Sequence, residues 1–141
     1  MMNAARVRVL LKDLMDSTDS SIYPICDEII TYLIEHPMQQ DLTVGGLRAA
    51  LRKREATDNH LIQAAFTLTA HPLSALEVRY RLYDERISEA TEELTHSDYM
   101  VALSNGHFID DDGNFIELEE LNRRIFPYFI NRLDYNTEAL K

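Results

Sequence analysis

With 141 residues and 45% hydrophobic content, the chain is long and apolar enough to build one domain with a core, which excludes wholesale disorder. The formal net charge of −10 speaks against a general nucleic-acid binder, which usually carries a basic face. The lone Cys26 cannot close an internal disulfide, residues 1–8 are not followed by the apolar stretch of a signal peptide, and no apolar run nears the roughly 20 residues of a membrane span, so a reducing, cytoplasmic setting without membrane contact is expected.

In chain order, Val7, Leu10, Leu11, Leu14 and Met15 recur at helical spacing and predict a helix over residues 4–16. The polar run at 16–21 reads as a linker, with Ser21 as cap of a second helix that tolerates Pro24 in its first turn. Ile22, Ile25, Ile29, Ile30 and Leu33 mark its buried face, and His36-Pro37 ends it. A short extended segment follows at 41–43. Thr43 then caps a third helix reaching Arg54, with Val44, Leu47, Ala50 and Leu51 on one side and Gly45-Gly46 weakening its first turn by about 1 kcal/mol per glycine. A fourth helix from Thr57 or Asp58 carries Leu61, Ala64, Ala65 and Leu68, up to His71-Pro72. Clean alternation at 75–84 sets Leu76, Val78, Tyr80 and Leu82 against Glu77, Arg79, Arg81 and Tyr83, which predicts a strand.

Residues 87–94 read as weakly helical. Ser97 is the expected cap of a short helix stopped by Gly106, and 107–117 reads as a hairpin turning at Asp111-Asp112-Gly113. Leu118, Leu121 and Ile125 open a last helical region, which Pro127 divides to leave a second short helix through Leu133. Residues 136–141 read as a frayed tail. The fold class expected is α+β, mainly helical, in a single domain of residues 1–141.

The order helix, short extended segment, helix, tight turn, helix, strand over residues 22–83 resembles a winged helix-turn-helix domain. In the resemblance the hairpin at 107–117 either completes the sheet of this core or belongs to an added C-terminal part. The resemblance implies a groove-entering helix at 58–70. Its outward residues would be Asn59, His60, Gln63 and Thr67, beside the basic cluster Arg52, Lys53 and Arg54. Many domains of this kind serve protein association instead.

Catalytic signals are weak. Cys26 lies among apolar helical residues, as buried inert thiols do. None of the five histidines, His36, His60, His71, His96 and His107, has the i, i+4 spacing of a helical metal pair. Residues 108–120 partly resemble a calcium-binding EF-hand loop, with Asp110, Asp112 and Glu119 on acidic positions, but Phe108 stands where the first oxygen ligand belongs. A turn explains the run better. No enzyme, cofactor or metal is expected.

Charge is segregated instead. Residues 84–120 hold twelve acidic residues and the single basic Arg86, a net of −11, whereas 48–81 hold six basic against three acidic, a net of +3. The role expected is therefore a non-enzymatic regulatory or adaptor protein whose acidic part (84–135) meets a protein partner with a basic surface. Asp110, Asp111 and Asp112 would supply charge, and Tyr99, Phe108 and Phe115 would serve either as apolar anchors or as core. A homodimer fits the same reading. The alternatives are a DNA-binding regulator of winged-helix type and an acidic inhibitor of a nucleic-acid-binding protein.

Overall fold

A computed structural model describes residues 2–134, so the tail expected at 136–141 lies outside the described residues. In chain order the elements are β1 (Met2–Asn3), α1 (Ala4–Ser17), α2 (Ile22–Glu35), β2 (Asp41–Thr43), α3 (Val44–Ala50), a 3-10 turn (Glu55–Thr57), α4 (Asp58–Thr69), β3 (Leu76–Tyr83), β4 (Ala90–Thr95), α5 (His96–Asn105), β5 (His107–Ile109), β6 (Phe115–Glu117), α6 (Leu118–Arg124), β7 (Ile125–Asn131) and β8 (Leu133–Asp134). This is a mainly helical α+β fold. One sheet has the order β2-β7-β3-β4; β1 pairs with β8 in parallel, and β5 with β6 antiparallel. The chain divides into two compact units, residues 2–77 with 129–134, and Val78–Tyr128.

In the first unit, α1 starts where the Asn3 carboxamide accepts from the backbone N–H groups of Ala5 (2.9 Å) and Arg6 (3.3 Å), satisfying two donors that a helix start leaves open. Ser21 precedes α2 but makes no side-chain cap, and the Ser20 hydroxyl accepts from Ile22 N–H instead. Thr43 caps α3 as its sequence predicts, accepting from Gly46 N–H at 3.0 Å. A Cβ on Gly46 would stand 3.0 Å from that same hydroxyl, so this glycine makes room for its own cap. The apolar stripes of the four helices meet in one core with Val7, Leu11, Ile29, Ile30, Leu33, Leu47, Leu61 and Leu68 buried, while Ile25 and Leu51 are only half-buried. Burying each such side chain contributes about 1.5–3 kcal/mol. The Phe129 ring closes the core, edge-on to Phe66 at 5.3 Å.

Four further local expectations need correction. The third helix stops at Ala50 rather than Arg54. Arg52 takes a left-handed conformation (φ 55°), and Lys53 N–H donates back to the Arg48 carbonyl. Residues 87–94 are not helical. The Asp84 carboxylate accepts from Arg86 N–H, Ser88 N–H and the Ser88 hydroxyl, Ile87 turns at φ 55°, and the chain returns as β4 antiparallel to β3. Those bonds to Ser88 hold the Asp84 carboxyl below its usual range. The run, with three Glu, one Ala and one Leu, prefers helix by propensity, but pairing with β3 overrides it. The cap of α5 is Thr95, not Ser97. Finally, the second short helix expected after Pro127 is the strand β7, which runs through that proline. Its sequence, Ile-Phe-Pro-Tyr-Phe-Ile, is aromatic and β-branched, which suits a pleated, half-buried surface better than a helix.

Candidate protein-contact site

The segment from Thr95 to Arg124 lies within the unit Val78–Tyr128. A reciprocal capping box begins α5: the Thr95 hydroxyl accepts from Asp98 N–H and the Asp98 carboxylate accepts from Thr95 N–H, both at 3.0 Å. Gly106, at φ 77°, ends the helix and turns the chain into β5. The hairpin then sets Ile109 opposite Phe115 and Phe108 opposite Ile116. Its turn is built by Asp110, whose carboxylate accepts from Asp112 N–H (3.1 Å), Asn114 N–H (2.7 Å) and the Asn114 amide (3.1 Å), while Gly113 supplies φ 85°.

The six residues expected at a partner contact divide accordingly. Phe115 is 63% exposed, stacked on the His107 ring with centroids 4.5 Å apart. Phe108 is half-buried. Tyr99 is tied into its own unit, with its ring 4.7 Å from that of Tyr80 and its hydroxyl donating to Asn122 at 2.7 Å. The Asp110 carboxylate is occupied by the turn. Asp111 and Asp112 are exposed, and Asp111 N–H donates to the Glu92 carboxylate at 3.1 Å. Partial burial raises the Glu92 carboxyl above its usual value, and the nearby charges of Asp111, Asp110 and Asp112 push the same way.

Three further residues complete the surface. Val101 and Ile109 are 55% and 57% exposed, and both line a groove of about 250 Å³ with Ala102, His107, Phe108, Asp98 and Asn105. Val101, Ile109, His107 and Phe115 thus form one continuous patch across α5 and the hairpin. A signal for it stands in the sequence. Residues 99–103 are five consecutive apolar residues, and a helix cannot turn all five toward one side. Ala102 takes the buried place and Val101 is left outside.

The residues of the DNA reading lie in the other unit. Asn59, His60 and Gln63 are exposed on α4, and Arg52 and Arg54 are exposed before it. The charge is partly neutralised there: Lys53 Nζ sits 2.9 Å from a Glu28 carboxylate oxygen, and Arg48 holds Asp58 at 2.6 Å.

Among the described residues no group of three or more His, Cys, Asp or Glu is arranged to hold a metal ion. Three of the histidines have local partners. His36 Nδ1 donates to the Tyr32 carbonyl, His96 Nδ1 lies 3.1 Å from the Tyr80 hydroxyl, and His107 Nδ1 lies 3.2 Å from the Asn105 carbonyl. With Phe108 at the first ligand position and Asp110 engaged by its turn, titration of the metal-free protein with calcium should show no stoichiometric micromolar site; heat of binding at that level would overturn the turn assignment.

Cys26 is fully buried, and its thiol donates to the Ala64 carbonyl at 3.4 Å. Burial pushes its pKa up to about 12. The native protein should therefore react with a thiol reagent at pH 8 only as fast as it unfolds, and one equivalent should titrate at once in denaturant. Immediate labelling of the folded chain would contradict this burial. No helix among the described residues is long and apolar enough to cross a membrane. No family model, curated protein or solved structure matches the chain.

Proposed function

We propose that this is a non-enzymatic regulatory or adaptor protein that acts through protein–protein contact, its acidic unit meeting a partner with a basic surface. The observation that carries this reading is the patch of Val101, Ile109 and Phe115, three apolar side chains each more than half exposed on one face. Scattered exposed apolar residues are ordinary; a contiguous patch rimmed by charge marks an interaction surface. The unit Val78–Tyr128 that carries it has twelve acidic and five basic residues, a net of −7. Such a field favours encounter with a basic partner.

Pull-down from native lysate with mass spectrometry tests it, comparing wild type with the double variant Ile109→Ser/Phe115→Ser. Both residues are exposed, so the fold should survive, which circular dichroism can verify. A dominant partner is expected with wild type and lost with the variant. The same proteins recovered with both would refute the reading.

The DNA-regulator reading is supported by two observations. β4 follows β3 directly through a tight turn, the strand pair that the winged-helix resemblance calls for. The outward face of α4 offers Asn59, His60 and Gln63. Recovery of one DNA sequence in the same pull-down, lost on Arg52→Ala with Arg54→Ala, would put this reading first.

A further inference from the structure

The groove beside α5 has a shape and a charge that specify more about its occupant. Ala102, 2% exposed, presents only a methyl group there, and Val101 and Ile109 stand beside it with their apolar surface open to water. At about 250 Å³ the opening is small. Polar groups of the groove are Asp98, whose carboxylate accepts from Thr95 N–H, together with Asn105 and His107. Past Ile109 the chain continues into Asp110, Asp111 and Asp112, and Glu117 stands across the hairpin from His107. None of the unit's five basic residues lines the groove. Arg81 lies over the Tyr128 ring, Arg123 pairs with Glu120, and Arg124 donates to the Tyr83 carbonyl. The apolar opening therefore carries one carboxylate, Asp98, among its lining residues and no lysine or arginine, and it leads along the chain into the three aspartates of the turn.

We propose that this groove seats a single apolar side chain of a basic segment on a partner protein, one in which lysine or arginine flanks a Leu-, Ile- or Phe-sized anchor. The proposal rests on the protein-contact reading and names the chemistry of its partner. The anchor removes Val101 and Ile109 from water, which supplies affinity, and the flanking cations meet Asp98 and the aspartates of the turn, which supplies selectivity and rate. An acidic or neutral segment would leave those carboxylates uncompensated as water is excluded.

Three synthetic peptides of equal length serve as probes: one with leucine anchors flanked by lysines, one with serine in place of each leucine, and one with glutamate in place of each lysine. Each is titrated into the isotope-labelled full chain and followed by two-dimensional NMR. The leucine–lysine peptide should shift the amides of Val101, Ala102 and Ile109. Either altered peptide should bind at least about tenfold more weakly, as should the leucine–lysine peptide to a Val101→Ser/Ile109→Ser variant. Equal binding of the serine–lysine peptide would reduce the contact to charge alone and overturn the proposal. Equal binding of the leucine–glutamate peptide, shifts centred away from α5 and β5, or no binding at all would overturn it too. The pull-down separates this from failure of the broader reading. A partner lost with Ile109→Ser/Phe115→Ser but retained by Val101→Ser refutes the groove alone. Peptide binding at the groove with no partner lost on mutation refutes the broader reading alone.

Discussion

Replacing Phe129 by alanine is expected to lower the unfolding free energy by about 3–5 kcal/mol. The ring is fully buried and meets Phe66 edge-on at an interplanar angle of 84°, so truncation removes both its transfer energy and a favourable ring contact. The backbone of β7 limits collapse around the hole, because Asn131 N–H is bonded to the Gln40 carbonyl and holds the strand in place. Phe126 in the same strand provides the comparison. It is 45% exposed and touches Tyr83 edge-on, so Phe126→Ala should cost only about 1 kcal/mol. Urea unfolding followed by circular dichroism measures both. Equal losses would mean that β7 does not present Phe129 to the core.

Leu33→Ala and Leu61→Ala should each cost about 2–5 kcal/mol, and Leu51→Ala distinctly less. Leu33 and Leu61 are at or below 1% exposure on the facing stripes of α2 and α4, where packing is tight and few neighbours can move in. Leu51 is half-buried just past the end of α3, where water already reaches it. The same unfolding measurement ranks the three. A loss below about 0.5 kcal/mol at both Leu33 and Leu61 would place the core elsewhere.

The contrast between these variants shows where the sequence was legible. The stripe of α2 could be read from spacing alone, and Ile29, Ile30 and Leu33 are buried as that spacing predicts. The same holds for Leu61, Ala64, Ala65 and Leu68 on α4 and for the alternation of β3. In these segments the periodicity of apolar residues and the geometry of one element agree, so no distant contact is needed to decide the matter. The turn at Asp110–Gly113 was equally local, since Asp and Gly carry its bonds and its left-handed backbone within four residues.

The candidate site was only half legible. Phe115 and the aspartates stood out by type and charge, but side-chain type does not tell an anchor from a core residue. Tyr99 and Phe115 are both aromatic; Tyr99 is held by Tyr80 and Asn122, and Phe115 is not covered. The apolar run at 99–103 signals that one of its residues must face water, but that it is Val101, and that Ile109 joins it, depends on neighbours distant in the chain.

What the sequence determined by itself was therefore the clean 3.6-residue stripes of α2 and α4, the alternating strand β3, the cap at Thr43, the helix stop at Gly106, and the separation of charge. Tertiary structure decided β4 against its local propensity, and at β7 it settled a segment whose aromatic and β-branched residues already suit a strand. Residues 90–95 have helical propensity and become a strand because β3 offers them a ladder; residues 125–131 surround a proline and become a strand whose Phe129 fills the core. Proline apart, propensity is worth at most about 1 kcal/mol per residue, whereas burying one aromatic ring and pairing a run of backbone groups together outweigh it. The pairing partner of such a segment lies many residues away, where no local pattern records it.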